Sequence, residues 1–156
     1  MDQIKEFSER GGWWVVAQAT LLVVAVALPL LSSMSGGFGQ PVTNIGFTIF
    51  FVGLVLALAG VISLGRSMTP FPRPHEKGEL VTTGTYRFMR HPIYAAVVLI
   101  VFGWSLMWSS PVGLALTILV AVFLNRKAAR EERWMRARFR DYANYERNVR
   151  RFIPRF

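Results

Sequence analysis

The chain has 156 residues, about the size of one domain, with 53% hydrophobic residues and a formal net charge of +9. It has no cysteine and two histidines, which excludes disulfides and a thiolate nucleophile and argues against a metal site. No Asp, Glu, Lys or Arg occurs in 11–65 or in 91–125, so the basic charge flanks apolar blocks, a pattern that fits anionic lipid headgroups rather than nucleic acid.

Residues 1–12 read as a short amphipathic lead-in with Ile4 and Phe7 on one side. Acids mix with bases there and no small-x-small cleavage site follows, which argues against a cleaved signal peptide. Four apolar runs come next, at 13–31, 44–65, 92–108 and 112–124. A spanning helix needs about 20 residues. The first two runs meet that length, the third is a little short, and the fourth is extended by Asn125, Arg126 and Lys127, whose long side chains snorkel to the interface. Pro29 is placed to kink the end of the first helix. The segment 32–43 is an uncharged outer loop, and its Gly-Gly-Phe-Gly is no dinucleotide fingerprint because no strand precedes it. In the second run Gly46, Gly53 and Gly60 recur every seven residues, with Ala57 on a neighbouring face, which suits close helix packing in lipid. The tight connector Ser109-Ser110-Pro111 folds the last two runs into a hairpin.

All 18 basic residues lie before the first run, in 66–90, or in 126–155. By the positive-inside rule these three segments are cytoplasmic. The expectation is an all-α integral membrane protein with about four transmembrane helices, the last two a short hairpin, plus a cytoplasmic amphipathic C-terminal helix. Both termini lie inside, and the setting is a bacterial or archaeal cytoplasmic membrane. The organisation is a single membrane domain, with two N-terminal spans in 1–65 and the functional core in 66–156.

Two polar clusters stand on the cytoplasmic side. The first is "TYRFMRHPIYAA", residues 85–96. Pro92 suits the first turn of a helix, His91 its entry, and Tyr94 an interfacial belt; Arg90 is a topological flank. Ahead of it, Pro70, Pro72 and Pro74 impose an extended strap, which is either a linker or a run of backbone groups laid along a ligand. The second cluster is Glu131-Glu132 within a basic helix. Salt bridges from Lys127 to Glu131 and from Glu132 to Arg136 are open to it, and so is a ligand role. The hairpin returns both clusters to one face, where they enclose a pocket at the water–lipid boundary. Beyond them, Ala128, Trp134, Met135, Phe139, Tyr142 and Tyr145 mark an amphipathic helix that breaks before Pro154.

"LVTTGTYRFMRHPIY" followed by "EERWMRARFRDYANYERNVRRFIP" resembles the isoprenylcysteine carboxyl methyltransferase and phospholipid methyltransferase superfamily of integral membrane enzymes. The resemblance covers residues 66–156, and its specificity lies in the ordered combination. It implies S-adenosylmethionine as cofactor, held without a Rossmann domain. Leu80 and Val81 would offer backbone groups, Tyr86, His91 and Tyr94 would line the cofactor site, and Glu131 would hold its polar groups. Arg126 or Lys127 would orient an anionic substrate group, with Glu132 beside them as the catalytic or orienting carboxylate. Phe139-Arg140 departs from the Phe-Gly common in relatives. The implied partners are membrane lipids and a lipophilic or prenylated acceptor, carboxylate or amine. A carboxylate needs only orientation; an amine must lose a proton, which Glu132 or His91 would assist. The competing readings are an NADPH-dependent membrane reductase of related fold and a non-enzymatic four-helix membrane protein.

Overall fold

The computed structural model describes residues 11–33, 37–67 and 79–154. Residues 1–10 of the amphipathic lead-in and the three prolines of the strap lie outside the described residues. Five α-helices stand among those described: α1 (Gly12–Leu31), α2 (Gln40–Leu64), α3 (Pro92–Met107), α4 (Pro111–Arg138) and the short α5 (Tyr142–Asn148). Two 3-10 turns occur, at Gly65–Ser67 and Gly84–Arg87. The helices α1, α2 and α4 are long and apolar enough to cross a membrane. Helix α3 has 16 residues, close to the length of its apolar run and shorter than the other three.

Helix α3 is the hub. On one side it joins α1 and α4 around Ala25, Val101, Val120 and Leu124. On the other it packs against α2 in the most extensive helix contact among the described residues. The glycine stripe explains how closely the two approach. A Cβ on Gly46 would lie 2.9 Å from the carbonyl oxygen of Gly103, and one on Gly53 would lie 2.8 Å from Ile100 Cγ1. Small residues give this seam close van der Waals contact, the main attraction available between helices in lipid. Helix α1 continues through Pro29 and ends two residues later; the Trp104 indole N–H donates to the Val26 carbonyl just before it.

The hairpin between α3 and α4 turns at Ser109, whose φ is 48°. Ser110 caps α4 by accepting from the Gly113 N–H at 2.9 Å, and Pro111 opens the helix. From there α4 runs unbroken past the apolar run to Arg138, carrying the glutamate pair out on the same rigid rod.

The tail departs from the expected single helix ending near Pro154. The backbone is already extended at Phe139, a turn follows, and α5 occupies only Tyr142–Asn148. Residues beyond α5 run back under the entry of α3. Met89 and Arg150 form a parallel bridge, and the N–H groups of Arg90 and His91 donate to the carbonyls of Arg150 and Arg151. In a helix ending before Pro154 those carbonyls would be among the last four, without partners in the helix; here they serve the segment before α3.

Candidate functional site

The glycine of the "TTGTY" stretch sets the geometry leading into the site. Gly84 has φ 59°, and a Cβ there would fall 2.3 Å from Ser63 Oγ. Only glycine meets both demands. Ser63 Oγ in turn accepts from the Thr85 N–H, which fastens the turn bearing Tyr86 to the end of α2. The Tyr145 hydroxyl donates to the Tyr86 carbonyl at 2.6 Å, so α5 braces the same turn from the other side. Desolvation, and then the neighbouring Glu131 carboxylate, push the Tyr86 phenol above the ordinary tyrosine range. Burial pushes Tyr145 up to about 12. Both phenols therefore remain protonated donors at neutral pH.

His91 is the N-cap position of α3, yet its ring makes no capping bond. The ring stacks on Tyr94 at 5.3 Å with an interplanar angle of 9° and reaches towards both glutamates. Its Nε2 is 3.3 Å from Glu132 Oε1, and its Nδ1 is 3.7 Å from Glu131 Oε2. The Tyr94 hydroxyl donates to Glu131 Oε1. Glu131 Oε2 thus faces His91 at an ion-pair separation rather than a hydrogen-bond distance, and keeps acceptor capacity.

The two adjacent glutamates differ in kind. Along α4 the buried positions run Gly113, Thr117, Val120, Leu124, Lys127, Ala128 and Glu132, so helical periodicity sends Glu132 into the core stripe. It is fully buried and must be paired. Arg90 Nε and Nη2 donate to its Oε1 at 3.1 and 2.9 Å. Arg151 grips it bidentately from the tail, through Nε to Oε1 and Nη2 to Oε2. Arg90 also spends Nη1 on the carbonyls of Glu146 and Val149, both at 2.8 Å. One carboxylate therefore joins α4, the α3 entry and the tail. Glu131, one residue earlier, looks towards Tyr94, His91 and Tyr86 instead.

The sequence-predicted residues separate accordingly. Tyr86, His91, Tyr94 and Glu131 come together. Leu80 and Val81 lie just before the Gly84 turn, outside any helix or strand, and no hydrogen bond within the described residues takes up their backbone groups. Lys127 is buried, donates to Gln18 Oε1 at 2.6 Å and lies over the Tyr94 ring, so it points into the bundle. Arg126 lies off the buried stripe and is exposed. Residue-level reading took Arg90 for a topological flank and passed over Arg151, Gln18 and Glu146. The available signal was chemical: an acid on the core stripe of a helix needs buried cations, and two arginines stand at 150 and 151.

Beside this polar cluster lies an apolar groove of about 990 Å³. One wall is α2, through Thr48, Phe51, Val52, Val55, Leu56 and Ala59; α3 and α4 form the floor and other wall. Met89, Phe152 and Pro154 line its end nearest the glutamates. From Thr48 to Ala59 the α2 wall is about 17 Å long at 1.5 Å per residue. Phe51 and Val55 are more than half exposed, so the groove opens sideways towards lipid.

The phospholipid methyltransferase family matches residues 42–142. A probable protein-S-isoprenylcysteine O-methyltransferase of Oryza sativa subsp. indica is 31% identical over 143 residues, covering 85% of this chain and 75% of that protein. Protein-S-isoprenylcysteine O-methyltransferase B of Arabidopsis thaliana is 31% identical over 117 residues, covering 72% and 59%. Among solved structures, the eukaryotic intramembrane Ras methyltransferase (isoprenylcysteine carboxyl methyltransferase) superposes with a TM-score of 0.68 at 25% identity. That likeness covers 72% of this chain but 42% of the larger enzyme, so this chain spans less than half of it.

Proposed function

The chain belongs to the phospholipid methyltransferase family, and from that premise we propose that it transfers a methyl group from S-adenosylmethionine to a lipophilic carboxylic acid of the isoprenylcysteine type. The acceptor reaches the site from lipid at the cytoplasmic face, where the positive-inside rule puts the charged ends. The observation that carries the reading is the juxtaposition of the Tyr86–His91–Tyr94–Glu131 cluster with the mouth of the apolar groove.

The cluster fits a cofactor that is cationic at sulfur and at its amino group. Glu131 Oε2 keeps acceptor capacity for such a cation, and the aromatic rings of Tyr86 and Tyr94 stand near Glu131. Leu80 and Val81, just before the Gly84 turn, would offer backbone groups to a purine or ribose edge. When bound, S-adenosylmethionine supplies an electrophilic methyl on a sulfonium, and the chemistry itself belongs to the cofactor.

The chain's own residues supply alignment. Tyr94 fixes the Glu131 carboxylate through its hydroxyl, and stacking on Tyr94 fixes the His91 ring. Glu132 is a positioning residue: with both oxygens engaged, it holds the α3 entry against the tail and so sets where His91 stands. The groove orients the lipophilic chain, and holding both reactants in line supplies the proximity on which the rate depends. A carboxylate acceptor is already ionised at neutral pH and needs no base.

The test is incubation of the purified protein with labelled S-adenosylmethionine and an N-acylated S-prenylcysteine. The expected product carries label that alkali releases as methanol, the mark of a methyl ester. Label retained through alkali on an aminolipid would replace the carboxylate reading, and no transfer to either would reject the activity.

A further inference from the structure

We propose that Arg151, together with Asn125, receives the anionic group of the acceptor at the mouth of the groove. The inference rests on the acceptor reading above and assigns the residues that make it selective for an acid. Leu124 and Phe152 belong to the groove wall. Their direct chain neighbours, Asn125 and Arg151, are joined by a hydrogen bond from Arg151 Nη1 to Asn125 Oδ1 at 2.7 Å. This polar pair therefore adjoins the apolar lining at Leu124 and Phe152.

Arg151 is equipped to bind something more. A guanidinium has five N–H donors. Arg151 spends three within the described residues: Nε and one on Nη2 to Glu132, and one on Nη1 to Asn125. One N–H remains on each terminal nitrogen. Together they form the fork that matches a carboxylate bidentately. The Arg151 side chain is 28% exposed, which gives that fork access. Arg90 is the contrast. It uses four N–H groups on Glu132 and two carbonyls, and its side chain is only 10% exposed. Asn125 is exposed, and because its Oδ1 accepts from Arg151, its amide N–H groups remain donors beside the fork.

Charge points the same way. Arg90, Arg136, Arg151 and Lys127 stand among the carboxylates of Glu131, Glu132 and Glu146, four cations against three anions, which leaves one positive charge in excess. An amine-headed acceptor meets repulsion there, and an acid-headed one meets attraction. Lys127 is turned the other way, onto Gln18 and Tyr94.

The experiment uses the full chain in nanodiscs of neutral phospholipid, without cofactor. Binding of an N-acylated S-prenylcysteine is compared with that of its carboxamide by quenching of tryptophan fluorescence. The wild type is expected to prefer the acid by about tenfold or more, the worth of hydrogen bonds to a charged group. Arg151→Gln should erase the preference, and Arg151→Lys should keep part of it. Equal binding of acid and amide by the wild type, or a preference that survives Arg151→Gln, overturns the proposal. If Arg151→Gln loses both ligands because the tail comes away, Asn125→Ala decides, since Asn125 makes no bond to Glu132. A several-fold drop in acid preference supports the site, and an unchanged preference overturns it. An acid preference abolished by adding anionic phospholipid assigns the fork to lipid headgroups and also overturns it. Methyl transfer is read separately: acid selectivity without transfer keeps this site and rejects the proposed activity.

Discussion

The two ends of the α3–α4 hairpin solve the same problem, buried polar groups, in opposite ways. At the uncharged end the groups are hydroxyls, and most are satisfied locally. Ser105 donates to the Val101 carbonyl at 2.7 Å and Thr117 to the Gly113 carbonyl at 2.9 Å, each one turn back along its own helix. The cross-links there join neutral groups: the Ser32 and Ser110 hydroxyls lie 2.7 Å apart, the Phe38 N–H donates to Ser109 Oγ at 2.9 Å, and the Ser105 and Thr117 hydroxyls are 3.5 Å apart. At the other end the groups are ions, and their partners come from afar: Arg90, 42 residues before Glu132, and Arg151, 19 after it. A neutral hydroxyl can be served by a carbonyl one turn back, as Ser105 and Thr117 are. A buried carboxylate cannot be, and it forces distant segments to converge. That convergence is what builds a site.

Three perturbations probe this difference, the largest effect first. Glu132→Gln removes the charge that Arg90 and Arg151 share, and breaking a buried pair from one side costs about 3–5 kcal/mol. Thermal unfolding in detergent should register it as the most damaging of the three. Thr117→Val at the opposite end removes one self-satisfied hydroxyl, and interhelical polar groups in membranes average about 0.6 kcal/mol. If the two substitutions cost the same, the contrast between the ends fails. Between the ends, the α2–α3 seam depends on shape alone. Gly53→Leu must displace Ile100 and α3 backbone, since even a Cβ there lies 2.8 Å from Ile100 Cγ1. Overpacking typically costs about 1–3 kcal/mol, so its unfolding temperature should fall between those of the other two.

The smallest effect is a pH dependence at the rim. Hydrogen bonds from Arg136 hold the Glu146 carboxyl below the ordinary carboxylate range. A depressed folded value means that this contribution is complete above the unfolded value of about 4.3 and is lost as pH falls through the folded value. Arg136 is 45% exposed, so the contribution is small and weakens with salt. Arg136→Gln should flatten the acid limb of the stability profile slightly and leave neutral-pH stability nearly unchanged. A large loss at pH 7 would show that the rim pair belongs to the buried network.

What was legible in the sequence follows the same division. The helical spans were readable from charge-free runs, because lipid excludes charge wherever a helix crosses it. The glycine period announced the α2–α3 seam, and Ser110-Pro111 announced the start of α4, since both signals are local. The gathering of Tyr86, His91, Tyr94 and Glu131 was legible once the hairpin returned two segments to one side. The tail was not. Phe139 to Asp141 interrupts the helix without a proline or glycine, and the remaining residues pair with Met89, Arg90 and His91 through bonds that no periodicity encodes. Glu132 and Glu131 are adjacent letters with equal claims on a ligand. Helix face and partners separate the one that binds arginines from the one that faces Tyr94 and His91.

The central claim is that the open carboxylate, Glu131, marks a cofactor site. Titration calorimetry with S-adenosylmethionine, against NADPH as a control, tests it most directly. The wild type is expected to bind S-adenosylmethionine and not NADPH. Glu131→Gln should weaken that binding by about tenfold or more, as loss of a charge-assisted contact implies, while Arg136→Gln leaves it unchanged. No binding at millimolar S-adenosylmethionine, or equal losses in the two variants, would contradict the account.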